Sequence, residues 1–238
     1  MSIIDETKPW QDVWGDGYCD MDAEKLAFLC LNNAIGREIL DGGQNVPRIH
    51  NVVSTSHIVC LCGSIDLRKI SFLLPNSSYD RRIFAAITIR TLSPFATSLL
   101  FSSGKLVITG VKSFYESVYA SLRVIALLNR VYGYRAYAVD SCVIQNIVAH
   151  TSISMGPNEF LNIHEIYERW QVICTYQKSM FPGLIVRNDN SPTVCLCFYS
   201  GKIVLTGAKN MEDVITGWKY ITKFCSPYVE IQKSIDNT

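Results

Sequence analysis

The chain has 238 residues, 48% hydrophobic and 18% charged, with a formal net charge of +1. That length suffices for one two-lobed domain or two small domains with a real core, and the composition excludes a chain disordered throughout. No apolar run of about 18 residues occurs, which excludes a membrane-spanning helix, and the acidic start MSIIDETKPW is unlike a secretory signal.

Charge divides the chain. Residues 1–46 hold nine acids and three bases, a net −6, while residues 47–238 hold 12 acids and 19 bases, a net +7. We read 1–46 as an acidic N-terminal extension. Trp10, Trp14 and Tyr18 are spaced by four among Asp12, Asp16, Asp20 and Asp22. An amphipathic stripe of Leu26, Cys30, Leu31, Ala34 and Ile35 predicts a helix over 23–40, with Gly42-Gly43 beyond its stop.

The remainder repeats itself. FSSGKLVITGVK at 101–112 matches FYSGKIVLTGAK at 198–209 in eight of twelve positions, an offset of 97. The same offset relates Arg90 to Arg187 and Phe84 to Phe181, and HNVVS at 50–54 answers QNIVA at 145–149 at an offset of 95. Repeats this long predict a pseudo-symmetric pair of units, here 47–139 and 140–238 with a short C-terminal tail, rather than a solenoid.

In the first copy, 50–61 reads as a strand and 66–74 as a short helix. Tyr79 to Arg90 reads as a strand pair around a tight turn at Asp80-Arg81. Strands 97–102 and 105–110 form a hairpin closed by the two residues Ser103-Gly104. A helix over 114–132 follows, N-capped by Ser113, with Glu116 completing a capping box and Gly133 as the stop. The second copy predicts a helix over 162–174, strands within 184–207, and a last helix from Asn210 with Asp213 at the box position and Pro227 as terminator. This order predicts an α+β fold, an antiparallel sheet with helices on one face.

Side chains alternate across a strand. Leu100, Leu106 and Ile108 therefore share one face, as do Cys197, Ile203 and Leu205. The opposite face carries Leu99, Phe101, Lys105, Val107 and Thr109, and its copy Leu196, Phe198, Lys202, Val204 and Thr206. The first face suits a helical cover. The second has no predicted cover, which leaves two readings: a sheet-on-sheet contact between the copies, or a binding surface.

The chemistry of that face selects among ligands. Val, Leu, Thr and Phe with few charges do not suit the major groove of DNA, where Arg and Asn or Gln read base edges. They suit a flattened minor groove of A·T pairs. Asn51 and Asn146, with Thr109 and Thr206, supply symmetric donors. Phe84 and Phe101, and Phe181 and Phe198, form two pairs each 17 residues apart, and paired aromatics can wedge between base steps and kink a duplex.

The pieces NVVST, IDLRKI, RRIFAAITIR, FSSGKLVITGVKS, IQNIV, MFPGLIVR and FYSGKIVLTGAK closely resemble the TATA-box-binding protein (TBP) family over roughly residues 47–233. The resemblance implies a pseudo-two-fold saddle with a concave, DNA-binding sheet. It implies a general transcription initiation factor that binds and bends A·T-rich promoter DNA and nucleates a preinitiation complex. It further implies that Phe84, Phe101, Phe181 and Phe198 intercalate, and that Asn51 and Asn146 donate at the central base pairs, helped by Thr109 and Thr206. Val53, Val107, Val148, Val204, Leu99 and Leu196 become apolar floor contacts. Pro182 belongs to the Phe-Pro pair of the second half, with Ala85 its first-half partner. Arg90, Lys105, Lys112, Arg187, Lys202 and Lys209 become backbone contacts. No cofactor and no enzymatic activity are expected. The implied partners are double-stranded promoter DNA, general factors of IIA and IIB type, and the RNA polymerase machinery.

The chain departs from the family pattern. LLPNSSYDRRIF keeps Arg81 and Arg82 but has Pro75 where an Arg is typical. TYQKSMF has Gln177, Lys178 and Ser179 where glutamates usually face factor IIB, so an altered partner interface is expected. The helix over 114–132 keeps only Arg123 and Arg130 as bases. Such divergence suits a protist parasite or a large DNA virus, and so a nuclear or virus-factory location. A TBP-related scaffold without TATA preference is the alternative function.

Other signals are set aside. Nine cysteines are an odd number in a chain too long to need disulfide staples, so reduced thiols packed as small hydrophobes are expected. Cys60 and Cys62, and Cys195 and Cys197, lie on predicted strands and read as core rather than metal ligands. His50, His57, His150 and His164 show no ligand or catalytic spacing.

The acidic extension either covers the concave face, where its aromatics and acids imitate DNA, or docks its helix on the convex side or forms a loose tail. If it covers the face, it lowers apparent DNA affinity by the closed fraction. Deleting residues 1–44 should then speed association and tighten DNA binding, most at low salt where acids are least screened. Salt also weakens phosphate contacts, so the two chains are compared at each salt concentration. Unchanged on-rate and affinity at low salt would place the extension elsewhere.

Overall fold

A computed structural model describes residues 45–60, 63–132, 136–188 and 191–231. Residues 1–44 of the acidic extension with its expected helix, Cys62 and Gly133 lie outside the described residues. In chain order the elements are β1 (Arg48–Cys60), α1 (Leu67–Leu73), β2 (Ser77–Ser78), β3 (Ala86–Leu92), β4 (Phe95–Phe101), β5 (Lys105–Val111) and α2 (Phe114–Tyr132). The second copy follows as β6 (Tyr137–Ser152), β7 (Glu159–Leu161), α3 (Ile163–Arg169), β8 (Cys174–Thr175), β9 (Leu184–Arg187), β10 (Val194–Cys197), β11 (Lys202–Ala208), α4 (Met211–Cys225) and β12 (Val229–Ile231).

Ten strands make one antiparallel sheet in the order β2-β3-β4-β5-β1-β6-β11-β10-β9-β8. β12 and β7 form a separate small pair. The copies join edge to edge through β1 and β6, running from Arg48 opposite His150 to Cys60 opposite Tyr137. That pairing excludes the sheet-on-sheet reading. Both sets of helices pack on one face, giving the α+β saddle. Leu67 and Ile70 of α1 and Val124 and Leu128 of α2 bury against Leu100, Leu106 and Ile108. Ile166 of α3 and Val214, Ile221 and Cys225 of α4 bury against Cys195, Cys197, Ile203 and Leu205. The parity reading of both hairpins therefore holds.

α2 approaches β1 closely because the contact is made by small residues. The hydroxyls of Ser56 and Ser121 are 2.8 Å apart, and Ser54 meets Ser117 one turn earlier. These pairs satisfy polar atoms that burial would otherwise leave costly. Both long helices start on the expected caps. Glu116 N–H donates to Ser113 Oγ at 3.0 Å, and Asp213 N–H to Asn210 Oδ1 at 2.8 Å. The returning carboxylates accept from Lys112 N–H at 2.6 Å and Lys209 N–H at 3.0 Å, one residue upstream of the caps.

Three local expectations are corrected. The β4–β5 loop has three residues, 102–104, not two: Gly104 N–H donates to Phe101 O at 3.0 Å and Gly104 sits at φ +87°. This is a turn followed by a left-handed glycine, a geometry suited to three-residue hairpins. Residues 79–85 form no strand. Asp80 O accepts from Ile83 and Phe84 N–H at 3.0 and 2.9 Å, winding the segment into a turn, and β3 pairs instead with Ser77–Ser78. The helix expected over 162–174 stops at Arg169. Its remainder is drawn into the sheet, where Cys174 pairs with Val186 and Arg187 N–H donates to Ile173 O at 3.0 Å.

Asn129 ties the end of α2 to the start of β6. Its Nδ2 donates to Tyr137 O at 3.0 Å and its Oδ1 accepts from Tyr137 N–H at 2.8 Å, in a buried setting. Asn129→Ala leaves both backbone groups unpaired and should cost about 1–3 kcal/mol of unfolding free energy. Urea denaturation checks this, through a lower midpoint at unchanged slope.

Candidate nucleic-acid interface

The face opposite the helices carries matched cross-sheet rows. In the first copy Asn51 bonds Thr109, which lies opposite Thr97, which lies opposite Arg90. In the second, Asn146 bonds Thr206, which lies opposite Val194, which lies opposite Arg187. The next row reads Thr55, Val107, Leu99, Thr88 in one copy and His150, Val204, Leu196, Ile185 in the other. Asn51 stands opposite Val148 and Val53 opposite Asn146, which brings both asparagines to the junction of the copies. Leu99, Val107, Leu196 and Val204 are half-buried, whereas their alternating neighbours are fully buried.

The asparagines are oriented by backbone irregularities. Val52 pairs with Val111 but Ser54 with Ile108, so Thr109-Gly110 bulges out of β5. Leu205 pairs with Ala149 but Ala208 with Ile147, so Thr206-Gly207 bulges out of β11. Gly110 and Gly207 sit at φ +92° and +91°. Each turns its N–H onto an asparagine oxygen: Gly110 N–H to Asn51 Oδ1 and Gly207 N–H to Asn146 Oδ1, both at 2.8 Å. A backbone donor requires the oxygen there, which fixes the amide flip. Nδ2 then lies 3.3 Å from the threonine Oγ1 in each copy. One amide N–H of each asparagine suffices for that contact, leaving a second donor.

The phenylalanines form two nearly identical pairs. Phe84 and Phe101 have ring centroids 5.9 Å apart at 66°, and Phe181 and Phe198 5.8 Å apart at 65°. The turn before each pair is also shared, since Met180 and Phe181 N–H donate to Gln177 O at 2.9 and 3.0 Å as Ile83 and Phe84 do to Asp80 O. Phe84 is 46% exposed. Ala85 and Pro182 are exposed beside the pairs. Ile83 and Met180, 83% and 78% exposed, are a third matched apolar position that the sequence reading missed, although the offset of 97 relates them too.

Arg90, Lys105, Lys112, Arg187, Lys202 and Lys209 are all exposed. Arg82 is partly neutralised, since its guanidinium holds both Asp80 oxygens at 3.1 and 2.9 Å and keeps that carboxyl below its ordinary range. Cys195 and Cys197 lie in the core, where burial pushes the Cys195 thiol up to about 12. Such thiols are inert as nucleophiles and ligands.

The family model for transcription factor TFIID, or TATA-binding protein, matches residues 46–131 and again 141–226. The chain belongs to the TATA-binding protein family. It is 34% identical over 190 residues to the TATA-box-binding protein of Emericella nidulans, covering 80% of this chain and 68% of that one. It is 35% identical over 176 residues to that of Candida albicans, covering 74% and 70%. The solved TBP of Methanococcus jannaschii aligns with a TM-score of 0.64 at 31% identity, over 76% of this chain and 98% of that one. This is a family of DNA-binding transcription factors with two repeats, not a family of enzymes.

Gly207→Ala tests the bulge. A Cβ at Gly207 would stand 2.6 Å from the Pro192 carbonyl oxygen, in a left-handed conformation, whereas one at Gly110 meets nothing closer than 3.8 Å. Both alanines carry the left-handed cost of about 1–2 kcal/mol, and the carbonyl clash adds to it at Gly207 alone, so Gly207→Ala should lower the melting temperature more than Gly110→Ala. Differential scanning calorimetry of both variants checks the order.

Proposed function

We propose that the chain is a TBP-type transcription initiation factor that binds A·T-rich promoter DNA on its open sheet face, in the minor groove, and bends it. The observation that carries this reading is the pair of matched Phe–Phe contacts flanking a central pair of oriented asparagines on an apolar face.

The roles follow from the chemistry. The apolar floor of Val53, Val107, Val148, Val204, Leu99 and Leu196 dries a widened minor groove. Asn51 and Asn146 donate to the N3 and O2 acceptors at the centre, with Thr109 and Thr206 beside them. A guanine amino group there meets a donor and a dry floor, which disfavours G·C. Phe84 with Phe101, and Phe181 with Phe198, wedge between base steps at the two ends. Unstacking costs a few kcal/mol per step, offset by the surface that the bent duplex then covers. Arg90, Lys105, Lys112, Arg187, Lys202 and Lys209 lie outside the floor and neutralise phosphates. Promoter-bound chain then nucleates assembly with general factors of IIA and IIB type and the polymerase machinery. Exposed Gln177, Lys178 and Ser179 alter the IIB-type contact relative to the family pattern.

Replacing Phe84 and Phe101 together by Ala should abolish most bending of an A·T-rich duplex, read by end-to-end fluorescence energy transfer, while the melting temperature changes little. Replacing the two central A·T pairs by G·C should weaken wild-type binding by about 1–3 kcal/mol per pair. Normal bending by the double variant would refute the wedge roles. Indifference to central G·C pairs would favour a TBP-related scaffold that works through protein partners.

A further inference from the structure

The two halves of the open face differ at one position that changes its chemistry. Thr55 of β1 lies opposite Val107, and the matching place in the second copy, opposite Val204, is held by His150 of β6. Ala149 and Thr151 on either side of His150 are buried in the core, so the imidazole is on the open face with Val148 and Val204. It is half-buried there and braced edge-on by exposed His50, with ring centroids 5.8 Å apart at 77°. Arg48 stands opposite it on β1, and Lys202 lies two pairs along β11 on the same face, opposite Ser152.

The geometry points to His150 as a further DNA-contacting residue, one that makes the second half of the face unlike the first and couples DNA binding to the uptake of a proton. This rests on the reading of the face as a minor-groove surface. A neutral imidazole in that row already presents an N–H to groove acceptors. A protonated one is a cation among groove acceptors and flanking phosphates, whose negative charge favours it.

Proton linkage follows from the charges around the ring. Among the described residues, the charged and titratable groups facing His150 are Arg48 and His50 from β1 and Lys202 from β11, and β6 adds no charge among Val148 and Ser152. Burial, and then His50, Lys202 and Arg48, hold His150 below its ordinary range, so it is neutral near pH 7. A bound duplex surrounds it with phosphates and groove acceptors, which favour the charged form. A group whose affinity for protons rises on binding strengthens binding as pH falls, by up to about tenfold per pH unit for one proton. The gain is fully present at low pH and is lost as pH rises through the raised pKa of the bound state.

The test measures the dissociation constant of the full chain for an A·T-rich duplex at fixed ionic strength from pH 6 to 8. The variants are His150→Thr, which copies Thr55, and His150→Gln, which keeps a donor but does not titrate. Melting temperatures report folding. Wild type should tighten several-fold between pH 7.5 and 6. His150→Gln should show a flat profile from pH 6 to 8. His150→Thr should also be flat. A wild-type profile that is flat, or a slope that survives in a folded His150 variant, overturns the proposal. A wild-type chain that leaves A·T-rich duplexes unbound at every pH overturns the minor-groove reading itself.

Discussion

The architecture depends on one antiparallel ladder, β1 against β6. Each copy ends in a strand whose outer edge would expose unpaired backbone groups and invite foreign strands. Pairing the two edges satisfies them and fuses both half-sheets into ten continuous strands. Because the strands are antiparallel, the copies are related by a pseudo-two-fold axis through their junction. Both copies carry their helices on the same side, so among the described residues no helix covers the opposite side of the sheet. The symmetric placement of asparagines at the centre and phenylalanines at the two ends is a consequence of that one pairing.

A second constraint refines the first. A regular ladder would aim Asn51 and Asn146 without fixing their amides. The bulges at Thr109-Gly110 and Thr206-Gly207 free one backbone N–H each, and that N–H holds an asparagine oxygen. Bulges re-aim side chains next to functional sites, and glycine permits the backbone that this one needs. The donors of the proposed interface are thus preorganised by strands on the far side of the bulge. Little amide entropy remains to be lost on binding.

What was legible in the sequence was what depends on local period and on the repeat. Alternation sorted Leu100, Leu106 and Ile108 from Leu99 and Val107, and a two-residue period makes such sorting insensitive to tertiary detail. Ser113 and Asn210 marked helix starts because cap chemistry is local. The segment 170–174 was not legible: its apolar spacing suits a helix, yet pairing with β9 took Cys174 into the sheet. The open face admitted two readings until the β1–β6 ladder was known, since edge-to-edge joining involves residues nearly a hundred positions apart. His150 was hidden for a related reason. Its partner Thr55 lies at the offset of 95 whereas the hairpins obey 97, so one alignment register does not reveal both.

Pseudo-symmetry also limits what such a face can do. In the minor groove A·T and T·A present nearly the same acceptors. Two identical halves would accept a duplex equally in either direction, and direction can come only from places where the copies differ. The structure places these differences in register: Thr55 against His150, Thr88 against Ile185, Thr97 against Val194, and Ala85 against Pro182. Three of the four put a hydroxyl in the first half. A hydroxyl accepts from a guanine amino group, which an Ile or Val floor leaves unpaired and desolvated. On the proposed minor-groove reading, a G·C pair would be disfavoured less beside the first copy's Thr88 and Thr97 than beside the second copy's Ile185 and Val194. On that proposal, polarity would come from side-chain exchange at a few positions while the backbone stays two-fold.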